Sequence, residues 1–100
     1  MKFDCVNKFT TQSGKYEELK TILLKAADAL EANSDCLQYL ISTPNEPETL
    51  YVNEIWTSKQ THYASLELPK VKAVIAQAMP LIVSVSNILE YQIEGGKGLN

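Results

Sequence analysis

The stretch Leu50-Tyr51-Val52-Asn53-Glu54-Ile55-Trp56 decides the fold. It alternates like a strand, is rich in β-branched and aromatic residues, and carries the chain's one tryptophan. A strand rises about 3.3 Å per residue, so Asn53, Glu54 and Trp56 fall within about 10 Å of backbone. Strand alternation puts Glu54 and Trp56 on one face and Asn53 on the other. An indole beside a carboxylate suits a flat polar organic molecule. It suits equally a packed core strand with a solvated glutamate, and composition favours that second reading.

Toward the amino terminus, residues 2–11 read as another strand. Phe3, Cys5, Asn7 and Phe9 share one face; Lys2, Asp4, Val6 and Lys8 share the other. Asn7 is the anomaly, an amide on the apolar side. Left unpaired and buried it would cost about 1–3 kcal/mol, so it is either bonded to backbone or aimed into a cavity. Thr11-Gln12-Ser13-Gly14 breaks the strand, and Ser13 is the expected cap of the helix that follows. Tyr16, Leu19, Ile22, Leu23, Ala26, Ala27 and Leu30 recur at helical spacing through about residue 33. Asn33-Ser34-Asp35 should end that helix, with Asn or Asp in a left-handed conformation.

Residues 36–43 read as a second strand, joined to the opening stretch (49–57) through the polar turn Pro44-Asn45-Glu46-Pro47-Glu48. Ser58 has the position of an N-cap for a short helix, and Pro69 opens a further helical run at its first turn. Val71, Val74, Ile75, Ala78 and Met79 give that run an apolar stripe, stopped near Pro80. The last strand, about 81–94, is expected to show Val83, Val85, Leu89, Tyr91 and Ile93 on one face. The resulting order, β-α-β-β-α-β, is the α+β ferredoxin-like split βαβ: a four-stranded antiparallel sheet with its helices on one side. Val6, Tyr39, Ile41 and residues of the later strands carry apolar groups to both faces. At about 25 cal/mol per Å², an uncovered face would forfeit several kcal/mol, so a homodimer joined through the sheet faces is expected.

The chain of 100 residues fits one domain, expected over 1–94, with Gly95-Gly96-Lys97-Gly98 opening a glycine-rich tail at 95–100. A phosphate loop would need a helix after those glycines, and only Leu99 and Asn100 follow. The net charge of −3 and the absence of any basic stripe argue against a nucleic-acid partner. No segment approaches the run of about 18 apolar residues that spans a bilayer, and residues 3–9 alternate instead of forming a signal-peptide core. A soluble, cytoplasmic protein without membrane partners is expected. Cys5 and Cys36 are too few and too separated for a disulfide framework, and with His62 they offer no metal-ligand spacing. Cys5 reads as a small core residue, and no metal is expected.

Taken together, Asn7, Cys36-Leu37-Gln38-Tyr39, Val52-Asn53-Glu54-Ile55-Trp56, the helix start Trp56-Thr57-Ser58-Lys59, the His62-Tyr63 helix and the closing Gly-Gly-Lys-Gly give a whole-chain resemblance. The chain resembles the antibiotic biosynthesis monooxygenase (ABM) family of small dimeric α+β-barrel proteins, which includes quinol monooxygenases. Asp35 stands where the family often has glycine.

The resemblance implies cofactor-independent oxidation of a small aromatic phenol or quinol by O₂, in a dry pocket between sheet and helices. It implies His62, Glu54 and Asn7 as catalytic groups, with Trp56, Asn53, Tyr39 and Tyr63 binding substrate. Haem-degrading members are similar at Asn7 and Trp56, but their axial histidine aligns with Leu66 or its neighbours. His62 lies one turn earlier and on a different expected face, so no cofactor is expected. Each residue has a plainer reading too. On a helix that reads as exposed, His62 is more simply a surface histidine; Glu54 can pair with a lysine, and Tyr39 and Tyr63 can fill core edges. Two other functions stay open: isomerisation of a small phosphorylated dicarbonyl, with Lys2, Lys8 or Lys97 as phosphate partners, and non-catalytic binding of a small apolar molecule by a dimer.

Overall fold

The computed structural model describes residues 2–99. Strands β1 (Lys2–Thr11), β2 (Cys36–Ser42), β3 (Thr49–Trp56) and β4 (Ile82–Ile93) alternate with helices α1 (Tyr16–Ala29), α2 (Lys59–Ser65) and α3 (Pro69–Ala78). A 3₁₀ turn at Met79–Leu81 joins α3 to β4. The sheet is antiparallel in the order β2-β3-β1-β4, the ferredoxin-like arrangement that the order of elements implied. None of the described helices is long and apolar enough to cross a membrane.

The opening stretch occupies the inside of the sheet as β3, paired to β1 and β2. Its even-numbered residues face the helices. Leu50 and Trp56 are fully buried, and Val52 nearly so. Leu50 and Val52 pack with Leu19 and Leu23 of α1 and with Ala78 and Leu81 at the end of α3. Trp56 forms a separate cluster with Leu30 and Val71. Each such buried aliphatic side chain contributes about 1.5–3 kcal/mol, which makes this double layer the main source of stability.

Local chemistry explains the helix ends, with two departures from expectation. Ser13 does not cap α1: the N-cap is Lys15, and it makes no side-chain bond to the helix. Gly14, at φ 75°, turns the chain instead, and its N–H donates to Glu48 Oε1 at 3.1 Å. Nor do Asn33 or Asp35 adopt a left-handed backbone. Helix α1 stops at Ala29 with Leu30 as a right-handed C-cap, and Asn33 Oδ1 accepts the Asp35 N–H at 3.0 Å in an Asx turn. Among the described residues Glu48, at φ 53°, is the one non-glycine in left-handed space.

Ser58 does cap α2. Its Oγ accepts the Thr61 N–H at 3.1 Å while Thr61 Oγ1 accepts the Ser58 N–H at 3.2 Å, a reciprocal capping box. Replacing Ser58 by alanine is expected to lower unfolding stability by about 0.5–2 kcal/mol, measurable as an earlier urea midpoint.

Strand β4 does not keep a single apolar face. Val85 pairs with Phe9 and Asn87 with Asn7; the register then skips Ile88, and Leu89 pairs with Val6. This bulge reverses the alternation. Val85 and Asn87 lie on the helix side, whereas Leu89, Tyr91 and Ile93 lie on the other with Val6. Tyr39 and Ile41, expected to supply both faces, pack into the helix-side core.

Candidate functional site

A cavity of about 290 Å³ opens between the sheet and helices α1–α3. Its floor is Asn7, Phe9, Tyr39, Val52 and Glu54 on the strands, and its roof includes Leu23 of α1, His62 of α2, and Val71, Val74 and Ile75 of α3. Leu66, Ile75, Met79 and Val85 also line it and are exposed, which gives it an apolar mouth. An apolar hollow with a few converging polar groups is the usual form of a small-molecule site. All five residues of the apolar stripe read along α3 line this hollow, and two of them, Val71 and Ala78, also belong to the packed core. Periodicity reports a buried side and cannot separate the two.

Of the seven residues implied by resemblance, four stand on this wall: Asn7, Tyr39, Glu54 and His62. Asn7 is held by its strand partner Asn87, whose Nδ2 donates to Asn7 Oδ1 at 3.0 Å. Its own amide N–H groups are thereby left to donate elsewhere. His62 is 8% exposed, so the surface reading does not hold. It also shares a helix face with Leu66, four residues on, and both line the cavity, contrary to the different faces expected.

The other three are elsewhere. Trp56 is fully buried behind the wall, and its Nε1–H donates to Glu54 Oε1 at 3.1 Å. Tyr63 is 45% exposed and donates to Glu90 Oε2 at 3.4 Å, outside the cavity. Asn53 points from the opposite side of β3, where it pairs with Val6 and Leu40.

The indole bond fixes the electrostatics of the wall. With Oε1 held by Trp56, Glu54 presents Oε2 to His62 Nε2 at 3.7 Å. The same Nε2 lies 3.7 Å from Cys5 Sγ. His62 is wedged among the rings of Phe3 (5.6 Å), Trp56 (5.7 Å) and Tyr63 (4.9 Å), which restrict its rotation. Its Nδ1 is buried and has no hydrogen-bond partner among the described residues. Cys5, read from sequence as core packing, is thus the site residue that was missed. Sequence distance hid it, since the contact spans 57 residues.

Burial and the Glu54 carboxylate act together on the neighbouring acids. Burial, then Glu54, Glu90 and Asp4, push the Cys5 thiol from 9.0 up to about 12. Burial and Glu54 push the Cys36 thiol up to about 11, and burial, Glu54 and Cys36 raise the Tyr39 phenol. Above pH 9 an unfolded chain releases thiol protons that the folded chain retains, so the unfolded state binds fewer protons. Stability should therefore be complete below pH 9 and decline as pH rises toward 12. Urea midpoints measured across that range should fall, and less steeply for Cys5→Ala.

Residues 3–77 match the family profile described as antibiotic biosynthesis monooxygenase. The chain belongs to the antibiotic biosynthesis monooxygenase family. It is similar to a protein of that family from Chloroflexus aurantiacus J-10-fl at 30% identity over 100% of both chains, with a TM-score of 0.87. An antibiotic biosynthesis monooxygenase-type protein from Deinococcus radiodurans is 22% identical over 100% of this chain and 97% of that one, at TM-score 0.78. SnoaB, a cofactor-independent oxygenase from Streptomyces nogalater, shares the fold at TM-score 0.80 and 12% identity over 97% of each chain. No protein of curated function matches. Membership in the ABM family supports a monooxygenase-type function and leaves the substrate open.

Proposed function

We propose that the chain is a cofactor-independent monooxygenase of a small phenol or quinol, held in the cavity between sheet and helices. The observation that carries this reading is the line Trp56–Glu54–His62, which ends at a cavity-lining imidazole whose buried Nδ1 has no partner among the described residues. With its proton on Nε2, facing the carboxylate, His62 keeps the Nδ1 lone pair for a substrate hydroxyl. Glu54 then stabilises the imidazolium that forms, the logic by which a carboxylate supports a general base elsewhere.

Deprotonation turns the phenol into an electron-rich phenolate. Its ring passes one electron to O₂, and the two radicals join at a ring carbon para to the oxygen as a hydroperoxide. Loss of water leaves a second carbonyl, so phenol and O₂ give quinone and H₂O, with one oxygen atom in each product. The substrate is the reductant throughout. Asn7 donates from its free amide to the developing oxyanion, and the apolar mouth keeps bulk water from the reactive carbon.

Readings that need a phosphate find no support on this wall. Among the described residues no lysine lines the cavity, and Lys8 is paired with Glu46 at 3.0 Å. Oxygen uptake with a panel of phenols, quinols and anthrones is the direct test. Uptake matched one-to-one by carbonyl product is expected, and none across the panel would refute the reading.

The proposal includes a homodimer joined by the uncovered sheet face. Leu40, Leu89 and Tyr91 there are 48%, 51% and 45% exposed, an area that a second copy would bury. Analytical ultracentrifugation should give twice the 11.2 kDa chain mass, and Leu89→Lys should return it to a single chain.

A further inference from the structure

We propose that Cys5 Sγ, Glu54 Oε2 and His62 Nε2 form a binding site for one divalent cation of the Zn²⁺ class. The inference does not rest on the oxygenase reading; an ion held here would replace the Nε2 proton and occupy Glu54 Oε2, so it would block the base chemistry proposed above. The inference rests on three donor atoms that lie within 4.8 Å of one another and belong to residues scattered along the chain.

Two of the separations, sulfur to imidazole and imidazole to carboxylate, are 3.7 Å. Zinc bonds of about 2.0–2.3 Å at tetrahedral angles correspond to ligand–ligand edges of roughly 3.4–3.6 Å. Small side-chain movements therefore bring these donors to bonding distance. Thiolate, imidazole and carboxylate make a mixed set that suits Zn²⁺ and its close relative Co²⁺, and suits Mg²⁺ or Ca²⁺ poorly.

A thiolate and a carboxylate would together balance the two positive charges of the ion. On binding, the Cys5 S–H bond breaks, an S–metal bond forms, and one proton goes to solvent. Trp56 steadies the carboxylate ligand through Oε1, as an outer partner does in known metal centres. Cys5 and His62 are buried, and three rings hold the imidazole plane. Three protein ligands leave a fourth position open. Glu54 and His62 line the cavity, so the ion would stand at its wall.

The test is titration of the intact protein with Zn²⁺ alone by calorimetry, and with Co²⁺ alone by absorption spectroscopy. One ion should bind per chain with release of protons. Cobalt should develop a near-ultraviolet thiolate charge-transfer band in the wild type and in Cys36→Ser. Cys5→Ser should lose the band and bind zinc at least about 100-fold more weakly, since losing even an outer partner weakens such sites by about 10–100-fold. His62→Gln should weaken zinc to a similar extent. Absence of the band in the wild type would overturn the site even if Cys5→Ser failed to fold. So would a band lost in Cys36→Ser, or zinc affinity unchanged in Cys5→Ser and His62→Gln.

Discussion

His62→Gln should lower oxygen consumption by about 10²–10⁴-fold, the range a positioned acid–base group supplies, while leaving the fold intact. Glutamine keeps much of the size of the ring at a position that is 8% exposed, so the thermal midpoint should move far less than the rate. The companion variant Glu54→Gln separates roles. It keeps the Trp56 bond, because an amide oxygen also accepts from an indole N–H, but it removes the charge facing Nε2 at 3.7 Å. A smaller loss than in His62→Gln is expected, together with weakened support for the imidazolium. Single-turnover absorbance of the carbonyl product measures both. Equal rates for wild type and His62→Gln would remove the histidine from the chemistry.

Trp56→Ala should lower unfolding stability by about 3–5 kcal/mol, as deletion of a large buried aromatic does. The side chain is fully buried against Leu30 and Val71, and nothing adjacent can collapse into its volume without pulling α1 and α3 toward the sheet. A 100-residue domain has only about 5–15 kcal/mol in total, so much of the population would unfold near body temperature. Trp56→Phe restores most of the volume and none of the hydrogen bond. Its expected signature is near-normal stability with impaired turnover, because Glu54 is freed to turn from His62. Denaturant titration and oxygen uptake on the same samples distinguish packing from positioning.

The contrast between those two residues shows what the sequence could disclose. Strand alternation placed Glu54 and Trp56 on the same face, and the structure agrees. What alternation lacks is depth. Trp56 lies two residues nearer the strand end, beneath Val71 and Leu30, so the indole is shut away while the carboxylate reaches the hollow. His62 looked exposed because α2 is only seven residues long and carries polar neighbours. Its burial comes from Phe3, at the far end of the chain, and from Trp56 across the turn into α2, contacts that helical periodicity does not register. Cys5 was hidden for the same reason: the fold, not spacing, brings sulfur and imidazole together. Element order, by contrast, was legible almost throughout, since hydrophobic period, the Ser58 cap and Pro69 are all local signals. The reversal within β4 was not, because a skipped residue is visible only against the partner strand.

That skipped residue gives β4 a division of labour. Its first half furnishes Val85 to the cavity and Asn87 to the bond that holds Asn7; its second half turns Leu89 and Tyr91 outward. On the proposed reading, specificity and subunit pairing are tuned on one strand without interfering. Pairing Ile88 in register with Val6 would merge the two patterns, sending Leu89 inward and turning Glu90 to the outer face, whereas deleting Ile88 keeps Leu89 opposite Val6, so that one-residue loss should spare both patterns.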